Sequence, residues 1–143
     1  MPATVSRKTV TDFYAALASR DADRIASFVA DQVDWLIIGP AEFIHFCGQR
    51  RTRAEVHDVF TRLVPELLDV TSYEQEYMLV DDDRAAALGR LTATQRRTRR
   101  VVSFRLANFI RFRDDKIIKY RSLIDTLDAV EQIIGREVDL SPE

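Results

Sequence analysis

Asp125 is the side chain whose setting most invites a chemical reading. It closes an apolar strand, Ile117 to Ile124, ahead of an amphipathic stretch, Thr126 to Gly135. A carboxylate there either accepts from the free N–H groups of a helix start or looks into a cavity as an acid or base. Asn108 stands among Phe104, Leu106, Ile110 and Phe112, all in phase with it on one strand face. An amide in that row either orients a ligand carbonyl or hydroxyl or satisfies a backbone group. His45 lies in the loop Glu42-Phe43-Ile44-His45-Phe46-Cys47, apolar enough to fold over a cavity mouth as a lid. Its imidazole is either an acid or base near neutral pH or an uninvolved loop residue. Trp35 and Tyr14, aromatics with a polar handle, suit a pocket wall. His57 reads as a surface residue on a helix. Cys47 is close to His45 in sequence, but neighbours on an extended loop point apart, so a nucleophile pair is not expected. Arg96, Arg97, Arg99 and Arg100 crowd one turn, fit either to receive a phosphate or acidic surface or simply to be solvated. No spacing of His, Cys, Asp and Glu suits a metal, and no phosphate loop or dinucleotide fingerprint is present.

The bulk properties narrow the setting. A chain of 143 residues with 46% hydrophobic and 31% charged residues is expected to form one soluble domain spanning residues 1–143 around one core. A net charge of −2 provides no basic field for nucleic acid or acidic lipid. Cys47 is the single cysteine and has no intrachain partner, which suits a reducing compartment, the cytoplasm by default. Met1 to Lys8 lacks the apolar core of an export signal, and no segment is apolar for long enough to span a membrane. The chain therefore reads as a mature cytoplasmic protein.

Periodicity supplies the elements. Val10, Phe13, Tyr14 and Leu17 fall on one stripe of a helix over Ser6 to Ser19. Asp21 and Asp23 can cap a short second helix holding Ile25, Phe28 and Val29. Val33 to Ile38 is a strand ended by Gly39-Pro40, and Ala41 to Arg51 is read as a loop. Thr52-Arg53-Ala54-Glu55 has the form of a capping box opening a third helix, which Pro65 is expected to stop. Four strands follow, about Val70 to Val80, Arg84 to Gln95, Arg100 to Arg113 and Ile117 to Ile124, joined by short polar turns as an antiparallel meander. The final helix runs from Thr126 to Gly135. Helices gathered before antiparallel strands mean an α+β fold with one sheet face covered and a small-molecule cavity between sheet and helices.

The order helix, helix, strand, helix and four strands resembles the NTF2-like superfamily, which includes the SnoaL-like polyketide cyclases and the ketosteroid isomerases. Phe13-Tyr14-Ala15-Ala16-Leu17 with Asp21 and Asp23, then Phe28-Val29-Ala30-Asp31, is similar to its opening. Gly48-Gln49-Arg50 to Val56 is similar to its glycine-led entry into the third helix. Asn108 to Ile117 followed by Tyr120-Arg121 and Asp125 is similar to its most recurrent stretch. The resemblance spans residues 6–135. It implies a cone in which a strongly curved antiparallel sheet wraps the N-terminal helices around a deep apolar pocket. It also implies homodimers paired through the open sheet face, and chemistry needing no cofactor.

The departures are as telling. Ketosteroid isomerases carry a carboxylate base where this chain has Ile37 and an oxyanion-hole tyrosine where it has Phe13. The limonene-epoxide hydrolase branch uses an acid, arginine, acid trio; Arg90 and Asp125 match two members, while Thr92 replaces the second acid and the first strand offers Trp35 and Ile37. The resemblance thus implies Asp125 as acid or base with Arg90 as its partner, since a carboxylate beside a guanidinium stays ionised and positioned. The alternative is that Asp125 caps the last helix and Arg90 neutralises it. The superfamily often has a polar residue at Asn108, which adds to its ligand-orienting reading. The expected function is binding of a small apolar, oxygenated molecule, with isomerase, cyclase, hydratase or hydrolase chemistry. The alternative is a non-catalytic ligand-binding or dimerisation module of the same fold.

Overall fold

Helix α1 (Arg7–Ser19) begins where the Ser6 hydroxyl accepts from the Thr9 N–H at 3.0 Å and ends at Arg20, whose backbone turns left-handed at φ 62°. The computed structural model describes residues 4–142. Met1, Pro2 and Ala3, part of the segment read for an export signal, and Glu143 lie outside the described residues. Asp21 caps α2 (Ala22–Ala26) by accepting from the N–H groups of Asp23 and Arg24. That helix is shorter than expected, because Phe28 and Val29 already belong to the approach and start of β1 (Val29–Ile38).

The segment Ala41 to Arg51, expected to be a loop, ends in a strand. β2 (Gly48–Thr52) pairs antiparallel with β1 through Trp35↔Arg50 and Ile37↔Gly48. Polar residues at an edge strand hide it from any apolar-pattern reading. Thr52 then caps α3 (Arg53–Asp58), accepting from the Glu55 N–H at 3.1 Å while the Glu55 carboxylate accepts from the Arg51 N–H at 3.1 Å. Pro65 does not stop the helix. The chain widens into a π turn over Val59–Leu63, with the Val64 N–H donating to the Val59 carbonyl, and continues as α4 (Val64–Leu67). A wider turn just before the ring relieves the clash that proline causes in an α-helix.

β3 (Leu68–Asp81), β4 (Arg84–Gln95), β5 (Val101–Arg113) and β6 (Lys116–Ile124) form the expected meander, and α5 (Thr126–Ile134) follows. Asp114 and Asp115, at φ 52° and 60°, make the two-residue turn between β5 and β6; paired left-handed residues match the strand twist there. The sheet order is β2-β1-β6-β5-β4-β3, with β1 and β6 parallel. This is a mixed α+β architecture with a curved six-stranded sheet.

Alternation divides the sheet into two faces. The inner face packs Trp35, Phe104, Ile110 and Phe112 against Val10, Phe13, Ile25, Val56 and Val59 of the helical layer, all buried. On the outer face the registers align Tyr77, Leu88, Ala107, Leu123 and Ile38 in one row and Leu79, Ala86 and Phe109 in the next. Asp34 fastens three strands on this face, accepting from Arg121 Nη2 at 2.7 Å, Arg121 Nη1 at 3.0 Å and Gln49 Nε2 at 2.8 Å. Those bonds, from Arg121 first and Gln49 second, hold its carboxyl down at about 2.

A folded value below the ordinary carboxyl value of about 3.9 adds stability above that ordinary value, and the gain is lost as pH falls through about 2. Asp34→Asn is therefore expected to be less stable than the parent at neutral pH, with the gap closing as pH falls from about 4 toward 2. Urea titrations of both proteins across that range check this; a gap independent of pH would contradict it.

Candidate functional site

Between the inner sheet face and the helices lies a cavity of about 330 Å³, at the small end of the range for ligand pockets. Ile37, Phe46, Phe60, Leu68, Leu91 and Phe104 supply apolar wall. The exposed residues of its lining, Arg20, Asp69 and Arg96, mark the end that opens to solvent. The C-terminal end of α1, the α4–β3 junction and the β4–β5 hairpin bring them together.

The far end is polar. Asn108 is fully buried, and its Oδ1 accepts from Tyr14 Oη at 3.2 Å. Its Nδ2 donates to Tyr120 Oη at 2.9 Å and to Ser122 Oγ at 3.1 Å. The amide thus spends both N–H donors on hydroxyl oxygens, leaving the Tyr120 and Ser122 hydrogens unused by it. Strand pairing positions the group, since Asn108 and Ser122 face each other across β5 and β6. Trp35 stacks on Tyr120 at a centroid distance of 3.7 Å and fixes the ring from behind.

Tyr73, on β3, adds a further phenol to the lining. Its ring lies over Gly89, where a Cβ would come within 2.6 Å of the ring and its hydroxyl. It stacks 6.2 Å from Tyr14. Tyr73 Oη is buried and has no hydrogen-bond partner among the described residues. Burial pushes its phenol up to about 12. Burial raises Tyr14 and Tyr120 as well, with neighbouring phenols adding to the effect. All three are therefore neutral O–H groups at physiological pH that do not take up a proton; Tyr14 spends its hydrogen on Asn108, and those of Tyr73 and Tyr120 are left to donate to an acceptor.

The structure does not bring Asp125 and Arg90 together. Asp125 is exposed and outside the cavity lining. Its backbone opens α5, the carbonyl accepting from the Ala129 N–H, but its side chain makes no capping hydrogen bond. Alternation is the reason: Tyr120, Ser122 and Ile124 face inward, and Asp125 has the opposite phase. Arg90 is on the outer face, between Glu74 and Arg105 in register, where it donates to Ser103 Oγ at 3.3 Å. Ala87, Gly89 and Leu91 are its inward-facing neighbours.

Asn108 does line the cavity, and Tyr14 backs it through their hydrogen bond. Trp35 is fully buried behind Tyr120, outside the lining, with Nε1 unpartnered. His45 is exposed; the loop residue that reaches the cavity is Phe46. Cys47 is buried beside Gly39, and burial pushes its thiol up to about 11, which keeps it protonated. His57 is 2.7 Å from the Asp23 carboxylate on the helical surface. Among the described residues no three His, Cys, Asp or Glu side chains are grouped to hold a metal ion. Sequence reasoning missed Tyr73, Tyr120 and Ser122. The phase of Ser122 and Tyr120 with Ile124 was a usable signal, whereas the bulges in β3 between Val70 and Ser72 and between Gln75 and Tyr77 hide the phase of Tyr73.

Similarity to known proteins agrees with this architecture. A proposed isomerase from Rhodopseudomonas palustris is 31% identical, with a TM-score of 0.77 over 89% of this chain and 93% of its own. An NTF2-like protein from Burkholderia thailandensis is 25% identical, with a TM-score of 0.76 over 89% and 95%. An LEH-like epoxide hydrolase from M. tuberculosis shares the fold at 14% identity, with a TM-score of 0.70 over 90% and 88%. No curated protein matches the sequence. Residues 10–120 match the SnoaL-like domain, and the chain belongs to that family, with an NTF2-like, ketosteroid isomerase-like fold.

Proposed function

We propose that the protein binds a small, largely apolar molecule through an acceptor oxygen, a carbonyl above all, placed at the hydroxyl end of the cavity. The observation that carries this is the hydroxyl cluster of the cavity lining, Tyr120 and Ser122 around Asn108 with Tyr73 on the facing strand, because an acceptor delivered there meets O–H hydrogens that Asn108 does not use. Among the described residues the lining offers no histidine or lysine, and Asp69 is its single carboxylate. Polarisation of a bound carbonyl by neutral phenols is therefore the chemistry the site supports best. A second reading, isomerisation by proton transfer, is favoured by Asp69 as the available base and by the likeness to the Rhodopseudomonas palustris protein.

The outer sheet face supports self-association. Tyr77, Leu79 and Phe109 are each more than half exposed, at 57%, 60% and 55%, and stand in adjacent rows of an apolar surface such as monomers rarely leave open. We propose a homodimer through this face. A cytoplasmic setting fits the buried, lone Cys47; among the described residues no helix is long and apolar enough to cross a membrane.

With tetralone, a compact apolar ketone, as probe, Tyr73→Phe is expected to weaken binding by about 1 kcal/mol, roughly fivefold. The same change removes a buried unpartnered hydroxyl, so the variant is expected to be at least as stable as the parent. Calorimetric titration and thermal melts read the two effects; unchanged affinity would remove Tyr73 from the site. For assembly, Phe109→Glu is expected to convert a dimer to a monomer in sedimentation velocity, and a parent protein that sediments as a monomer would rule out the interface.

A further inference from the structure

Resting on the cavity reading above, the geometry points to an apolar carboxylate as the ligand class, its anionic head held at the cavity mouth by Arg20 and Arg96. These two guanidiniums flank one acid: Arg20 Nη1 is 3.8 Å and Arg96 Nη2 is 3.9 Å from the same Asp69 oxygen. Charge-assisted hydrogen bonds close to about 2.7–2.9 Å, as in Arg62 to Asp58 at 2.7 Å, so Asp69 saturates neither arginine. The mouth trio carries one uncompensated positive charge.

Both guanidiniums are held in place without using up their donors. Arg20 donates Nη1 to the Val70 carbonyl and Arg96 donates Nε to the Pro65 carbonyl, which leaves further N–H groups on each. A planar fork of donors matches a carboxylate better than a point charge does. Arg96 is distinct here from its hairpin neighbours. Arg100 donates Nη2 to the Ile133 carbonyl at 3.0 Å, covering the end of α5, and Arg97 and Arg99 are exposed and outside the cavity lining. The cavity is thus donor-rich at both ends and apolar between them, complementary to a molecule with an acid at one end, a greasy body and an acceptor oxygen at the other.

The test compares naphthylacetate with naphthylethanol, which has the same ring body and no charge, by calorimetric titration of the full chain. The acid is expected to bind at least tenfold more tightly at low salt, with the preference shrinking as salt rises. The paired substitution Arg20→Gln and Arg96→Gln is expected to abolish the preference while leaving naphthylethanol affinity unchanged. Asp69→Asn, which releases both guanidiniums, is expected to strengthen acid binding, a gain that a merely structural arginine pair would not produce. Equal affinity of the parent for both probes, or equal weakening of both in the arginine variant, would overturn the carboxylate assignment and leave the cavity reading standing. Failure of both probes to bind would remove the two together.

Discussion

The buried amide of Asn108 is the constraint on which the interior depends. It sits on the apolar face of β5 with no exposure to water, so each of its donors and acceptors must be met from within. Tyr14 meets it from α1, and Tyr120 and Ser122 meet it from β6. One side chain thereby ties the first helix to the two central strands and fixes where the phenols point. Removing it would leave hydroxyls from two elements unsatisfied, a heavier penalty than the loss of any single bond. The cavity is what remains in front of this braced group, and its polarity follows from the hydrogens that Asn108 does not consume.

Among the described residues no carboxylate lines the deep end of the cavity. Ile37 lines the cavity where ketosteroid isomerases, by resemblance, carry their base, and Phe13 packs in the aromatic core with Tyr14, Phe28 and Tyr120. Neutral phenols instead gather around the amide, each disfavoured from ionising by burial. Such groups orient and polarise; they do not abstract protons near neutral pH. Charge is confined to the mouth, where Arg20, Asp69 and Arg96 remain in contact with solvent. Hydrogen-bonding hydroxyls at depth are thus separated from charge at the entrance.

Much of the architecture was legible because local signals agreed with one another. Asp21 and Thr52 cap helices as their side chains suggest, while Ser6, read as the first helical residue, is the cap itself, and Asp114-Asp115 turns the chain where two tolerant residues meet. β2 was not legible, since Gly48-Gln49-Arg50-Arg51-Thr52 has no apolar face and owes its strand to pairing with β1. Pro65 misled because a π turn upstream makes room for it. For the site, Asn108 stood out as a lone amide in an apolar row. Asp125 and Arg90 suit acid–base chemistry by residue type and resemblance, while strand alternation turns both away from the cavity: Ser122 and Ile124 set the inward phase on β6, and Ala87, Gly89 and Leu91 set it on β4. Phase along the strand outweighed chemical plausibility. Tyr73 depends on bulges and on the absence of a side chain at Gly89, a tertiary accommodation that no local pattern announces.

The most direct measurement of hydrogen bonding from the cavity floor is the infrared stretch of a bound ketone carbonyl. Tetralone bound to the protein should show its carbonyl band shifted to lower frequency than in an alkane solvent, with part of that shift lost in Tyr73→Phe. A bound carbonyl that absorbs as it does in alkane would contradict donation by the phenols and leave the cavity as an apolar void without the recognition proposed for it.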